Sequence, residues 1–300
     1  MKIIKNNIKI KSKGNEVPLL FILELITMKK PRIIKIFGYM YELNKRNLKV
    51  YRVPKRIPKV DPIVENSIHW VGHATTVINM YGKVFLTDPV EGNLGHLKRL
   101  VNPSIDLTDI SLDYILISHG HMDHLNYKVL SRLNKKTPII VPKGIKNMLR
   151  FRGFKNIHTL SAGQIYRDKA ITITAVEANH VGRRYPGLGF GDSNSYIIQH
   201  RDKKVLFAGD TAFTDIYKGL TLNAAIMPVG CYKPDEFTKM HCTPKESYQM
   251  FKMMDSGIMV PIHYKTYILA QDEDEETEKT LKAIDDKKIK IIDVGGTVKI

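Results

Sequence analysis

The sequence predicts one layered α/β sandwich domain behind a basic extension. Short β-rich runs alternate with helix-like segments from about residue 68 to the C-terminus, which is the pattern of sheets covered by helices. The length of 300 residues and the hydrophobic content of 43% suffice for a large core. Residues 1–60 lack a sustained period, and Pro54, Pro58 and Pro62 interrupt regular structure around the end of this range. We therefore predict an extension over residues 1–60 and one domain over residues 61–300.

The strands are predicted from short runs of β-branched and aromatic residues that turn residues separate. In chain order they are Ser67–Val71, Thr75–Met80, Lys83–Thr87, Tyr114–Ser118, Ile139–Val141, Ile171–Val176, Ser195–Gln199, Lys204–Ala208, Ala224–Met227, Ile258–Ile262 and Ile289–Ile292. The helices are predicted from apolar residues at three-to-four spacing. They are Leu125–Leu133, Lys143–Phe151, Pro244–Met254 and Glu275–Asp285, with a further helix at Tyr41–Asn47 in the extension. Thr243 before Pro244 is a typical helix start.

Composition favours a location in the cytoplasm. Cys231 and Cys242 form no C-x-x-C pair and no disulfide framework, which suits a reducing compartment. No segment reaches the roughly 18–20 apolar residues of a membrane-spanning helix. The best candidate, Pro18–Met28, is too short, contains Glu24 and is not followed by a signal cleavage site.

The positive charge of the chain is concentrated at its start. Residues 1–60 carry 16 Lys/Arg against 3 Asp/Glu, whereas the other 240 residues carry 31 against 27. Such an extension can bind anionic lipid at the inner membrane face, helped by the apolar stretch Leu19–Ile26, or it can be a solvated Lys-rich segment. Nucleic acid is a weaker candidate partner, because no basic motif with interleaved aromatic residues is present. The sequence leaves the oligomeric state open.

The strongest chemical signal is a histidine loop that follows the predicted strand Tyr114–Ser118. His119, His121, Asp123 and His124 all have side chains that ligate metals. In an extended loop His119 and His121 project to the same side, and the next two ligand types can face a second ion. Burying so many polar groups directly after a buried strand costs free energy unless they bind a metal or water.

Three further candidates stand where other predicted strands end. His180 follows Ile171–Val176, Asp210 follows Lys204–Ala208, and His263 follows Ile258–Ile262. A site assembled at strand ends would bring these residues to the histidine loop. Together they provide enough donors for two ligand sets.

The motifs from about Ile68 to the C-terminus carry a family resemblance. They are the run from His69 to Thr75, the run from Phe85 to Pro89, the His-x-His-x-Asp-His loop, the run from Phe207 to Thr211, the run from Ala224 to Gly230, and Ile262 to Tyr264. On these motifs the chain resembles the metallo-β-lactamase superfamily, within it the branch that contains N-acylphosphatidylethanolamine-hydrolysing phospholipase D. The resemblance implies a four-layer αββα sandwich and leaves residues 1–60 uncovered.

The resemblance also implies a binuclear metal centre. It assigns His119, His121 and His180 to one divalent ion and Asp123, His124 and His263 to the other, with Asp210 bridging them. His241 stands where the phospholipase branch has a histidine near the substrate phosphate, and Asp88 is expected to orient the histidine loop. The ions are expected to be Zn, and Mn and Fe fit similar geometry.

The expected function is metal-dependent hydrolysis by a hydroxide that the two ions share. Asp123 and Asp210 would orient the hydroxide, and His241 would stabilise charge in the transition state. Arg183, Arg184 and Lys265 neighbour the ligands in sequence and are either phosphate contacts or solvated cations.

The expected substrate is a phosphodiester, such as an N-acylphosphatidylethanolamine-like phospholipid. The alternatives are a lactonase of the ascorbate-6-phosphate lactonase type, and a nuclease or cyclic-nucleotide phosphodiesterase. A non-catalytic metal- or RNA-binding module is disfavoured because all seven ligand types are present, and a cysteine nucleophile because Cys242 and His241 are adjacent and would point apart.

Overall fold

The computed structural model of the chain describes residues 30–184 and 191–300. The helices are α1 (Lys30–Tyr51), α2 (Tyr127–Arg132), α3 (Lys146–Arg150), α4 (Pro244–Lys252) and α5 (Asp274–Ile284), with a 3-10 helix at Asp235–Lys239. The strands are β1 (Ser67–Gly72), β2 (Thr75–Met80), β3 (Lys83–Thr87), β4 (Tyr114–Leu116), β5 (Ile139–Pro142), β6 (Ile157–Leu160), β7 (Ile165–Asp168), β8 (Ile171–Glu177), β9 (Asn194–His200), β10 (Lys203–Phe207), β11 (Thr221–Pro228), β12 (Asp255–Ile262) and β13 (Thr297–Lys299).

These strands form two mixed sheets. The first has seven strands in the order β13-β1-β2-β3-β4-β5-β6, and the second has six in the order β12-β11-β10-β9-β8-β7. Strands β3 to β6 run parallel in the first sheet, and β10 to β12 run parallel in the second. The carboxyl ends of parallel strands meet at one edge of a sheet, where loops can assemble a site.

Side chains alternate between the two faces of each strand, so the apolar ones form one core between the sheets and another on an outer face. On β5, Ile140 belongs to the core between the sheets, whereas Ile139 and Val141 pack with helices α2 and α3 on the outer face. Helix α4 packs against β11 and β12 on the outer face of the second sheet. The order of layers is therefore helix, sheet, sheet, helix, which confirms the expected αββα sandwich.

Most of the predicted strands are confirmed, and the errors lie at the sheet edges. Strands β6, β7 and β13 were not predicted, and the run Ile289–Ile292 is not a strand but makes one bridge, between Ile289 and Met259. The expected start of α4 is confirmed: Thr243 Oγ1 accepts the backbone N–H of Glu246, and the Glu246 carboxylate accepts that of Thr243.

Helix α1 is much longer than the predicted Tyr41–Asn47, and it packs on the body. The Tyr39 hydroxyl donates to the Leu269 carbonyl at 2.5 Å, and Asn47 Nδ2 donates to the Ile268 carbonyl at 3.0 Å. Both acceptors lie in the loop after β12. The division at residue 60 stays a prediction, and the apolar stretch Leu19–Ile26 lies outside the described residues.

None of the helices within residues 30–184 and 191–300 is long and apolar enough to cross a bilayer.

Candidate metal centre

The predicted ligand residues meet at the strand ends where the two sheets face each other. The histidine loop leaves β4 between Leu116 and α2, and its backbone lies close to the loop after β8. The Gly120 N–H donates to the Gly182 carbonyl at 3.1 Å, and a Cβ on Gly120 would lie 2.9 Å from that oxygen. Because neither position has room for a larger residue, the two loops can bring His119 and His180 together.

The first group of donor atoms comprises His119, His121, His180 and Asp210, all within 4.8 Å of one another. His121 Nδ1 lies 2.9 Å from His119 Nε2 and 3.2 Å from His180 Nε2. Two nitrogens bound to one tetrahedral ion at about 2.0–2.1 Å would be about 3.3 Å apart. The observed spacing therefore suits three imidazoles directed at one ion.

The second group comprises His73, Asp123, His124 and His263, again within 4.8 Å. His124 Nε2 lies 3.3 Å from His263 Nε2, and Asp123 Oδ2 lies 3.5 Å from the former and 3.7 Å from the latter.

Asp210 connects the two groups. Its Oδ2 lies 3.1 Å from His124 Nε2 and 3.9 Å from His119 Nε2, and its Oδ1 lies 3.0 Å from His263 Nε2. Although Oδ1 is close to His263, it is fully buried and has no aligned hydrogen-bond donor among the described residues. Within residues 30–184 and 191–300, the buried Nδ1 atoms of His241 and His263 are also without a hydrogen-bond partner. Unsatisfied buried donors and acceptors are costly, so this cluster fits bound cations better than it fits a closed hydrogen-bond network.

The outer nitrogens of several histidines are held by the protein. His124 Nδ1 donates to Asp88 Oδ2 at 2.7 Å, and His180 Nδ1 donates to the Met240 carbonyl at 2.7 Å. Ser118 Oγ lies 2.9 Å from His119 Nδ1 and donates to Asp88 at 2.5 Å. With a proton held on Nδ1, the Nε2 lone pair of each of these three rings is free to bind an ion. Asp88 thus contacts the rings from outside the cluster.

Electrostatics prepare the same residues for cation binding. Burial opposes the charged form of Asp210, but His124 and His263 hold the pKa of its carboxyl well below the usual range. Burial, together with His124 and His121, lowers the pKa of His119 far below its usual value. The anionic carboxylate and the neutral imidazole are the forms that ligate metals, which suits Asp210 and His119. Burial lowers the pKa of His124, but the Asp210 and Asp123 carboxylates raise it well above its usual value, so an ion would have to replace a proton on that ring.

The other predicted site residues divide into two cases. His241 Nδ1 lies 3.7 Å from Asp210 Oδ2, and its ring stacks at 5.7 Å on His263, so it borders the cluster. Arg183 is exposed in the loop after β8, and its role as a phosphate contact stays a prediction.

The charged ends of Arg184 and Lys265 bond to groups of the protein, and their role as phosphate contacts stays a prediction. Arg184 donates to the Leu125 carbonyl at 2.6 Å and lies over the Tyr127 ring. The Lys265 ammonium pairs with Asp293 at 2.8 Å and with Glu278. Both cations therefore bind groups that are distant from them in sequence but close in the fold.

His73 was not among the predicted ligands, and it lies in the second group. Its Nε2 lies 3.0 Å from Asp123 Oδ2, and its side chain is buried. The signal was its position in the run from His69 to Thr75, directly after Gly72. Also missed was an apolar rim of exposed side chains next to the donors in sequence, consisting of Met122, Val181, Phe213 and Ile216. A cavity of about 350 Å³ beside His180 is lined by Val181, Ile216 and Lys239, among others.

Sequence comparison finds relatives that are named as hydrolysing enzymes. The chain is 29% identical to N-acyl-phosphatidylethanolamine-hydrolyzing phospholipase D 1 of Caenorhabditis elegans over 235 residues, which cover 68% of this chain and 65% of that protein. A metal-dependent hydrolase of Enterococcus faecalis is 31% identical over 180 residues, which cover 57% of this chain and 76% of that protein.

The fold is also that of solved structures. The crystal structure of a possible metal-dependent hydrolase from Veillonella parvula superposes with a TM-score of 0.66 at 17% identity, covering 79% of this chain and all of that one. The sequence profile of the β-lactamase superfamily domain matches residues 83–264, more than half of the chain. The chain therefore belongs to the β-lactamase superfamily and has the αββα sandwich of its metallo-β-lactamase fold.

Proposed function

We propose that the chain is a hydrolase that uses two divalent ions to cleave a phosphodiester. The observation that carries the proposal is the position of Asp210, whose carboxylate approaches His119 of the first group and His124 and His263 of the second. A carboxylate between two donor groups can bind an ion of each, and paired ions about 3.5–4 Å apart are a recurrent hydrolytic arrangement. A donor set this rich in imidazole favours Zn, and Mn and Fe fit similar geometry.

Ions bound there would activate water and polarise the scissile group of the substrate. The protein side chains would hold everything else in place. Asp88 and Ser118 fix the outer nitrogens of the histidine loop, so that its ligand atoms need little rearrangement. His241, whose pKa burial lowers to about 3, is neutral and can give a hydrogen bond to a substrate oxygen as charge develops.

Three observations favour an amphiphilic phosphodiester. The relative in Caenorhabditis elegans is named for hydrolysing an N-acylated phospholipid. Two side chains of the apolar rim, Val181 and Ile216, line the cavity beside His180 and offer a surface for an alkyl or acyl chain. Lys239, in the cavity beside His180, provides a cation for an anionic headgroup. A lactone or a cyclic nucleotide would use the same ions, but neither requires an apolar rim.

A substrate panel on metal-reconstituted protein tests the proposal. Bis(p-nitrophenyl) phosphate, an N-acylphosphatidylethanolamine, a lactone and a short RNA are each offered to protein loaded with Zn, Mn or Fe. We expect turnover of bis(p-nitrophenyl) phosphate and of the N-acylphosphatidylethanolamine. We expect the double variant Val181→Ser with Ile216→Ser to lower kcat/KM for the lipid alone. Turnover confined to the lactone or to RNA would contradict the proposed substrate class, and no turnover with any metal would contradict the hydrolase.

A further inference from the structure

The end of β1 contains an unusual backbone segment that delivers His73 to the second donor group. The pairing of β1 with β2 shifts register between Trp70 and Gly72, which marks a β-bulge. Gly72 has a φ of 123°, and His73 follows in the left-handed region with a φ of 54°. A residue with a β-carbon rarely adopts that conformation, and bulges beside active sites commonly redirect a side chain.

Several contacts hold His73 in this conformation. Its N–H donates to Thr266 Oγ1 at 2.7 Å, and its carbonyl accepts the Trp70 Nε1–H at 2.8 Å. Arg99 supports the bulge by donating to the Val71 carbonyl at 2.8 Å, and a Cβ on Gly72 would collide with that guanidinium. A strained backbone conformation and the buried Arg99 guanidinium thus together fix the position of the His73 imidazole.

His73 reaches two of the expected ligands at once. Its Nε2 lies 3.0 Å from Asp123 Oδ2, and its carbonyl accepts the backbone N–H of His263 at 3.1 Å. The rings of His73 and His263 are 4.0 Å apart between centroids. The same Oδ2 lies 3.5 Å from His124 Nε2 and 3.7 Å from His263 Nε2. A donor on His73 Nε2 would occupy one lone pair of this oxygen and fix it beside those nitrogens, with its other lone pair left for an ion, which is how an outer hydrogen bond orients a carboxylate ligand.

We propose that His73 is a positioning residue that holds Asp123, through Nε2–H, in the orientation that binds the second ion. The proposal rests on the two-ion function above. The Asp123 carboxylate carries out the binding, and His73 acts only through it and through the backbone of His263.

Metal titration of matched variants tests this role. His73→Phe keeps a ring but removes the donor, and His73→Gln restores an amide donor near the position of Nε2. His69→Phe is the control, since His69 is equally buried, in the strand β1 that leads to His73, but bonds Thr297 and Ser104 instead. We expect wild type to bind two equivalents of Zn. In His73→Phe we expect one equivalent to be unchanged and the other to bind 10–100-fold more weakly. We expect His73→Gln and His69→Phe to keep both.

The spectrum of the cobalt-substituted protein separates positioning from direct ligation. We expect His73→Gln to keep the wild-type cobalt absorption, because no ligand atom changes. An altered spectrum in His73→Gln would overturn the proposal by making His73 a ligand. If His73→Phe binds two equivalents of Zn tightly, the positioning role of His73 is wrong but the two-ion function stands. If wild type binds fewer than two equivalents, both the positioning role and the two-ion function are wrong. Equal losses in His69→Phe would reduce His73 to a structural residue.

An independent observation concerns the outer face of α1. Phe37, Tyr41, Leu48 and Tyr51 are 54–75% exposed, and their spacing of four, seven and three residues places them on one side of the helix. The opposite side packs on the body through Tyr39, Leu43 and Asn47. A row of large exposed apolar side chains on one helix is a typical interaction surface.

The positive charge around this surface favours an anionic partner. Residues 37–60 carry seven Lys/Arg and one Glu, and Lys45, Lys49 and Arg52 border the apolar row. Aromatic and aliphatic residues flanked by cations are the composition of helices that lie flat on anionic lipid. We propose that this face of α1 docks on an anionic bilayer surface.

Co-sedimentation of the full chain with vesicles tests the docking. The variant Phe37→Ser with Leu48→Ser is compared with Phe151→Ser with Ile165→Ser, whose residues are also exposed but lie outside α1. We expect wild type and the control to bind phosphatidylglycerol vesicles at about 0.1 M salt and to release them near 1 M, where the Debye length falls to about 3 Å. We expect the α1 variant to bind at least tenfold more weakly.

Three results would overturn the docking proposal. Wild type could fail to bind anionic vesicles at low salt, or the α1 variant could bind as well as wild type. A wild-type dimer that dissociates in the α1 variant, with no vesicle binding in either, would make a second copy of the chain the partner instead.

Discussion

Asp210 is the residue on which the proposed two-ion centre depends most directly. Asp210→Asn keeps the shape of the side chain but removes the negative charge shared by the two donor groups. We expect hydrolysis to fall at least about 10³-fold, because about 4 kcal/mol of transition-state stabilisation is a modest loss for such a centre. Elemental analysis should also show fewer ions per chain.

The control for Asp210→Asn is His158→Asn. His158 bonds Asn156 at 2.7 Å and lies outside both donor groups, so its loss should leave activity within about twofold. Equal losses in the two variants would indicate instability rather than a damaged centre, and full activity in Asp210→Asn would contradict the bridging role.

Sequence reasoning at the residue scale worked where backbone geometry alone decides the outcome. His119, His180, Asp210 and His263 follow strands, and strands of a packed sandwich end at a common edge, so their convergence was predictable. His73 was not predictable in this way, since a bulge and a left-handed φ direct it. Long cations are harder still: Lys265 finds Asp293 and Glu278, which only the tertiary fold brings near.

The two loops that carry His119 and His180 must fit closely for the first donor group to form. A Cβ on Gly182 would lie 2.5 Å from His119 Cβ and 2.5 Å from Ser193 Oγ. Gly182→Ala should therefore separate the loops, lower activity at least about tenfold and cost about 1–3 kcal/mol of unfolding free energy. Kinetics and urea unfolding measure the two effects.

Gly92→Ala is the matched control, because nothing lies within 4 Å of a Cβ at Gly92. It should leave activity unchanged and stability within about 0.5 kcal/mol. A Gly182→Ala variant that behaves like this control would mean that the loops can move apart without disturbing His119.

At the scale of elements, buried strands were predicted more readily than half-buried ones, because only buried strands have a clear apolar pattern. Strand β5 is buried along its length and was found, whereas β6 and β7 are only half-buried and lack a clear apolar signal. Strand β13 has three residues and pairs with β1 at the sheet edge. Edge strands contribute less apolar surface to the core, so their sequences are less constrained by it.

The extension is the point at which the whole molecule departs from the sequence-based expectation. A separate extension over residues 1–60, as the sequence predicts, could be deleted without loss of hydrolysis, but α1 buries Leu43 and Asn47 against the body. We now expect this deletion to cost several kcal/mol of unfolding free energy, since it exposes apolar surface and orphans the carbonyls of the loop after β12. Thermal unfolding and a soluble phosphodiester assay compare the truncated and full-length chains, and equal stability would contradict the packing role of α1.

The ions should also act as a cross-link between the two halves of the sandwich. The histidine loop follows β4 of the first sheet, whereas His180, Asp210 and His263 follow β8, β10 and β12 of the second. Ions that bind both sets stabilise only the folded chain, by about 2.7 kcal/mol for each site at a free concentration of 100 Kd. Removing Zn with a chelator should therefore lower Tm by several degrees, at roughly 2–4 °C per kcal/mol for a chain near this size. The same chelator should shift Asp210→Asn much less, because that variant has already lost the shared ligand. A wild-type Tm that is identical with and without Zn would mean that the sheets are held together without the ions.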